Sequence, residues 1–232
     1  MVSSGQPRVT ILYVEAIIGA GKSSALHAIA KQFEGDARVQ VLQEPVDVWR
    51  ESGALAGFYD GTVSKLAFQL FVLITFAEPL FRALREARGR GVRVLVVERS
   101  LRCQRDVFAA LGLTDETDRK SYELAYVGVN SELRQLLQQG EAREATALLK
   151  VGADTAMTRI ATRGRPEELA IPRDYQEALR TQHEALLAVR KAERGHDVHC
   201  IDASQSANAV ADEMIGLLQA YLEGMDRPEG GN

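Results

Sequence analysis

The sequence predicts an α/β fold in which a five-stranded parallel sheet is flanked by helices, and three observations carry that prediction. Short β-rich apolar runs alternate with longer helical patterns along the 232 residues, the rhythm of a doubly wound sheet. The run Val92–Val97 is apolar in five of its six positions, which suits a strand covered by helices on both faces. The first strand then empties into Gly19-Ala20-Gly21-Lys22-Ser23-Ser24 and a helix. A helix start reached through a Gly-rich turn presents backbone N–H groups and the positive end of a dipole, a cradle for an anion.

Taken in order, Val9 to Glu15 is the first strand and Lys22 to Phe33 the first helix. Gly35-Asp36 turns the chain into a second strand, Val39 to Leu42, which ends in Gln43-Glu44-Pro45-Val46-Asp47-Val48-Trp49. Residues 54–64, with Gly57 and Tyr59-Asp60-Gly61, read as a loop. From Lys65 a long helix begins that is apolar nearly all round until Pro79 and so is buried against the sheet or another subunit. The third strand, Val92 to Val97, ends in Glu98-Arg99-Ser100. Helices follow over residues 101–111 and 118–139, then a fourth strand over 146–151 and a helix over 154–162. A charged helix over 173–194, a fifth strand over 198–201 and a helix over 207–222 complete a single domain of residues 1–232, with a mobile tail expected from Glu223 to Asn232.

Composition narrows the classes. The 46% hydrophobic and 26% charged fractions are those of a globular protein, and a net charge of −4 gives no general nucleic-acid binder. Cys103 and Cys200 have no metal-type spacing and fit a reduced compartment. The N-terminal stretch lacks a signal or transit pattern, and Leu66 to Ala77 is too short and too interrupted to span a bilayer. The expectation is a cytoplasmic protein with no membrane partner.

Chemistry concentrates at the strand ends. In a Gly-rich phosphate loop, Lys22 reaches the β- and γ-phosphates and the Ser23 hydroxyl holds Mg²⁺. Ala16 stands where the usual pattern has its first glycine, so the loop entry is expected to differ. Glu44, stiffened by Pro45 beyond the second strand, is placed near that loop, where a carboxylate can take a proton from an attacking hydroxyl. The alternative for Glu44, read alone, is a surface acid on a helix or loop. Glu98-Arg99 follows a buried strand into the same crevice and is either reactive or a structural ion pair. Gln69, among Phe68, Leu70 and Phe71, must find partners, either a nucleobase edge or a neighbouring backbone group. Arg159 and Arg163 share a helical face, with Arg165 just beyond; they form a phosphate clamp or a solvated basic face.

Five ordered motifs, EAIIGAGKSS, QEPVDVW, the FQ of the buried helix, ERS with QRDVFA, and RIATRGRPEE, together resemble the deoxyribonucleoside kinases, the deoxycytidine, deoxyguanosine and mitochondrial thymidine kinase type with viral relatives. The resemblance implies a P-loop kinase fold with an Arg-rich lid, ATP and a deoxynucleoside as substrates, Mg²⁺ as cofactor, and a homodimer. It implies that Glu44 is the base for the 5′-hydroxyl, that Arg99 steadies the reacting oxygens, and that Glu98 shares the Mg²⁺ side with Ser23. Gly19, Ala20, Gly21, Lys22, Ser23 and Ser24 would hold phosphate together with Arg159, Arg163 and Arg165. Trp49, Gln69 and Phe108 would surround the base, and Tyr59 with Glu168 would hold the sugar 3′-hydroxyl.

Two positions depart from the cytidine- and guanosine-type pattern: Phe76 and Gln104 replace an Arg and an Asp. An apolar wall at Phe76 and a neutral amide at Gln104 would suit thymine, whose N3–H and O4 match the Gln69 amide. The reading is ATP-dependent phosphorylation of a deoxynucleoside, thymidine accepted. The alternatives are a nucleoside monophosphate kinase such as thymidylate kinase, or a P-loop subunit without catalysis. His183 and Cys103 carry no role in this reading.

Overall fold

The computed structural model describes residues 9–139 and 142–226. Its centre is one five-stranded sheet, ordered β2-β3-β1-β4-β5 and parallel throughout. The strands are β1 (Val9–Glu15), β2 (Val39–Leu42), β3 (Val94–Glu98), β4 (Ala142–Lys150) and β5 (Asp197–Asp202). β1 and β3 are buried along their whole lengths, as continuous apolar runs require when helices cover both faces. Alternate side chains divide between two cores. Leu12 and Val14 pack with helices α1 (Lys22–Gln32) and α10 (Ala207–Asp226), whereas Ile11 and Tyr13 pack with α4 (Lys65–Arg90) and α7 (Glu116–Gln139).

The topology dictates where a ligand sits. Chain leaving β1 runs to β2 at one edge of the sheet, and chain leaving β3 crosses to β4 on the other side of β1. The crevice between diverging connections lies beyond the carboxyl ends of β1 and β3, where Glu15, Glu98 and the Gly-rich turn are found.

α4 starts at a Ser64 cap, whose side chain accepts from the Ala67 N–H at 3.1 Å, and stops at Gly91 with φ 73°. Pro79 lies inside it without ending it. At 26 residues, α4 has the length and hydropathy of a membrane span, yet half of its most apolar window is buried, and its inner face supplies Leu73, Phe76, Leu80 and Phe81 to the second core.

Several boundaries differ from the sequence reading. Residues 54–64 contain α3 (Ala54–Asp60), and α2 (Val46–Glu51) precedes it. Their apolar side chains Leu55 and Phe58 pack on Trp49 and Phe68, so tertiary contact stabilises helices too short to persist alone. β4 begins four residues before Thr146, because Arg143 and Glu144 at its start hide the apolar pattern; Arg143 donates to Thr10 Oγ1 at 3.0 Å across the sheet. β3 begins at Val94 rather than Val92, whose N–H is bonded to Ala87 O at 2.9 Å in the turn off α4. α10 continues through Asp226, so residues 223–226 are helical where a tail was expected, and 227–232 lie outside the described residues.

The segment after β3 is helical in three parts: α5 (Leu101–Cys103), a π-helical stretch (Gln104–Ala109) and α6 (Ala110–Gly112). π-Helical turns recur at functional sites because they re-aim side chains. Here the wider turn carries Gln104 and Phe108, both of which face the crevice.

Candidate active site

Ala16 is accommodated without distortion. Arg99 is the only described non-glycine residue with positive φ, so no left-handed turn is demanded at position 16, and the Ala16 carbonyl accepts from Arg99 Nη1 at 2.8 Å. Gly19 and Gly21 are the positions that need glycine, with φ 82° and 99°. A Cβ on Gly19 would also stand 2.6 Å from the Ala156 carbonyl oxygen. No side chain caps α1 behind Gly21 (Ala20 is buried before it), so N–H groups of the turn Lys22-Ser23-Ser24 remain directed at an incoming anion.

Four charged side chains converge beyond the strands. Arg99 Nε lies 2.9 Å from Glu44 Oε1, with both side chains largely buried. Lys22 Nζ lies 3.6 Å from Glu98 Oε1. Ser23 Oγ donates to the same oxygen at 3.0 Å, and the Glu44 N–H donates to Glu98 Oε2 at 3.3 Å.

The two carboxylates are tuned apart. Burial raises Glu44 above the ordinary range even though Arg99 and Lys22 act against it. Burial pushes Glu98 upward too, but Lys22, Arg99, the Ser23 hydroxyl and the Glu44 N–H outweigh it and leave Glu98 below the ordinary range. Lys22 is lowered by burial and by Arg99, while the carboxylates around Arg99, Glu44 first among them, overcome its burial and hold it firmly charged. Glu44 is thus the better proton acceptor and Glu98 the persistent anion. Ser23 and Glu98 offer neighbouring oxygen donors of the kind Mg²⁺ selects.

A cleft of about 460 Å³ opens from these groups, and Glu44, Trp49, Tyr59, Gln69, Glu98, Arg99, Gln104, Phe108, Arg163, Arg165 and Glu168 all line it. Trp49 is fixed by its indole N–H, which donates to Thr75 Oγ1 at 2.9 Å, and by an edge-on contact with Phe68. The Phe108 ring lies under the Arg99 guanidinium at 4.4 Å, a cation–π contact. Gln104 is 1% exposed, and neither of its amide heteroatoms has a hydrogen-bond partner among the described residues. Orphaned polar atoms on a cleft wall await a polar ligand or water.

Phe76 does not line the cleft. It lies two helical turns beyond Gln69 and is packed in the core with Tyr13 and Leu101, so the wall beside Gln69 is formed by Phe68, Val72 and Leu111 instead. The lid arginines also sit differently. Arg163, the last residue of α8 (Ala153–Arg163), and Arg165 just beyond it both pair with Glu168, Arg165 at 3.2 Å, while Arg159 holds the phosphate loop by donating to Ala20 O at 3.2 Å.

Sequence reasoning missed Tyr175 and Gln176 of α9 (Arg173–Ala192). Tyr175 lines the cleft, and Gln176, fully buried, donates to Ile18 O at 3.0 Å and so braces the phosphate loop. Residue type gave no signal, because the same helix carries Gln182 as well. His183, on the same helix, sits edge-on to Phe108, 6.1 Å between centroids.

A sequence profile of the deoxynucleoside kinase family matches residues 12–217. Mitochondrial thymidine kinase 2 of Homo sapiens is 26% identical over 185 residues, 77% of this chain and 64% of that protein, so the chain spans less than two thirds of the human relative. A protein of Invertebrate iridescent virus 3 named as kinase protein 029R is 26% identical over 212 residues, 90% of this chain and 96% of the relative. Among solved structures, a deoxyadenosine kinase from M. mycoides, with dCMP and a flexible dCDP bound as products, superposes with a TM-score of 0.67 at 21% identity, covering 90% of this chain and 99% of that one. That likeness supports the fold.

Burial makes His183 a reporter of this packing. Burial, reinforced by Arg99, depresses it to about 3 from an ordinary 6.5. The unfolded chain therefore binds a proton that the folded chain refuses, and stability is fully present above pH 6.5 and declines as pH falls toward 3. Between pH 7.5 and pH 5 this one group should remove about 2 kcal/mol. Urea unfolding of wild type and His183→Asn at both pH values checks it: the variant should show a smaller acid loss, and an equal loss in both would contradict the assignment.

Proposed function

The chain belongs to the deoxynucleoside kinase family, and on that premise we propose that it transfers the γ-phosphoryl group of ATP to the 5′-hydroxyl of a deoxyribonucleoside. The observation that carries the proposal is the pairing of a raised Glu44 with a permanently charged Arg99 at the inner end of the cleft. Glu44 accepts the 5′-hydroxyl proton as the O5′–Pγ bond forms and the bond from Pγ to the β-phosphate bridging oxygen breaks, leaving a monophosphate and ADP. Arg99 stays beside the carboxylate and contributes positive charge where negative charge develops. Lys22 and the loop N–H groups hold the donor phosphates.

Ser23 and Glu98 would hold Mg²⁺ carried in with ATP, and the ion supplies further neutralisation of phosphate charge. Arg163 and Arg165 exchange Glu168 for phosphate oxygens when the lid closes, which releases Glu168 toward the sugar 3′-hydroxyl and Tyr59.

Gln69 and Gln104 present two neutral amides to the base, and Phe76 and Gln104 stand in place of the Arg and Asp of the cytidine- and guanosine-type pattern. Phe68, Val72 and Leu111 give the 5-methyl of thymine an apolar seat, while Gln69 complements N3–H and O4. Thymidine is therefore the expected substrate, with deoxycytidine or deoxyuridine tolerated. The same reading includes a homodimer: Ile74 of α4 and Leu124 and Val127 of α7 are 60%, 78% and 55% exposed on helices that pack together, a face suited to a second copy.

Labelled ATP offered with four deoxynucleosides and their monophosphates tests the reaction. Label should appear on deoxynucleosides, thymidine foremost. Transfer only to monophosphates would refute the acceptor, and a purine deoxynucleoside exceeding thymidine by more than about tenfold in kcat/KM, ~1.4 kcal/mol, would refute the base preference. For the dimer, sedimentation equilibrium should give twice the chain mass and Ile74→Arg half of it; a wild-type monomer would contradict that face.

A further inference from the structure

We propose that Glu15, Cys103 and His183 bind one thiophilic transition-metal ion of the Zn²⁺ type, behind Arg99 and apart from the oxygen donors Ser23 and Glu98. One donor atom from each of the three lies within 4.8 Å of the others. Cys103 Sγ and His183 Nε2 are 3.5 Å apart. Tetrahedral zinc with ordinary Zn–S and Zn–N bonds sets its sulfur and nitrogen ligands roughly 3.5 Å apart, so one edge of the polyhedron is already built.

His183 Nδ1 and Glu15 Oε1 each have a partner outside the trio, and the Cys103 thiol donates within it to His183 Nε2. His183 Nδ1 lies 2.7 Å from the Leu179 carbonyl oxygen; a carbonyl only accepts, so Nδ1 carries the hydrogen and Nε2 presents its lone pair. Such backbone anchoring of the far nitrogen orients imidazoles for metals. Ser100 Oγ donates to Glu15 Oε1 at 2.7 Å and accepts from the Cys103 N–H at 3.0 Å, tying two donors to one hydroxyl. The second Glu15 oxygen has no hydrogen-bond partner among the described residues, although Glu15 is only 2% exposed. A buried carboxylate oxygen left so is costly, and it is the observation that points to a ligand.

Thiol, imidazole and carboxylate together select zinc-like ions over Mg²⁺. On binding, the Cys103 proton leaves to solvent; a site with one negative charge then becomes neutral, with Arg99 beside it held by Glu44. His183 also lines a cavity of about 330 Å³ with Ile17, Glu184 and Asp202, between α9 and the ends of β4 and β5.

Co²⁺ titrated into the nucleotide-free full-length protein tests the site. One equivalent should develop a near-ultraviolet thiolate-to-metal charge-transfer band and the visible bands of tetrahedral Co²⁺, displaced by Zn²⁺ but not by Mg²⁺. Cys103→Ala should abolish the charge-transfer band and weaken Co²⁺ binding beyond the ~10–100-fold that losing an outer-sphere partner costs, with an unchanged far-ultraviolet spectrum. Glu15→Gln should keep the band and weaken binding. Changing the exposed Cys200 to Ala should leave both intact. No band in the folded wild type, or a band that survives Cys103→Ala or disappears with Cys200→Ala, overturns the proposal.

Discussion

The Arg99 ion pair with Glu44 is the interaction on which the rest of the site depends. Arg99 is held with φ 67°, a conformation that a side chain bearing Cβ adopts only at a cost. What holds it is a set of contacts from several elements. Its N–H donates to Val14 O at 3.0 Å, its guanidinium bonds Ala16 O and Glu44, and Phe108 lies against its face. The residue thereby joins β1, the start of the phosphate loop, the turn after β2 and the π-helical segment. A buried carboxylate and a buried guanidinium are each unfavourable alone, and removing one partner of such a pair typically costs about 3–5 kcal/mol.

On the proposed reading, the same arrangement would divide two chemical tasks within one crevice. Glu44 and Glu98 are adjacent carboxylates whose surroundings drive them in opposite directions, the pattern by which one site carries both a base and a fixed anion. Glu98 receives Ser23, Lys22 and the Glu44 N–H, contacts that tie it to the Gly-rich turn. Glu44 has Arg99 on one oxygen and faces the cleft with the rest of its carboxylate. The parallel sheet achieves this by ending β2 and β3 side by side, with Leu42 opposite Val97.

Those strand ends were legible in the sequence because their signals are local. β1 and β2 have the boundaries read from apolar runs, and the Gly-rich turn, Glu44, Glu98 and Arg99 follow directly from where strands stop. What depended on distant contacts was not legible. α3 contains Gly57 and ends at Gly61, which look like turn residues, and it is packing such as Leu55 and Phe58 against Trp49 and Phe68, with the Phe58 ring stacked on Phe68 at 4.4 Å, that holds it as a helix. Phe76 has the helical spacing of a cleft residue, yet depth along α4 places it in the core. The meeting of Glu15, Cys103 and His183 joins segments up to 168 positions apart along the chain that no periodicity connects.

If burial makes Glu44 the proton acceptor while Arg99 holds its carboxylate in place, the pH dependence of kcat/KM, which reports the free enzyme, tests it most directly. An acid limb with an apparent pKa above the ordinary 4.5 of a glutamate should govern activity in the wild type and be missing from the residual activity of Glu44→Gln. An acid limb that persists unchanged in Glu44→Gln would contradict it.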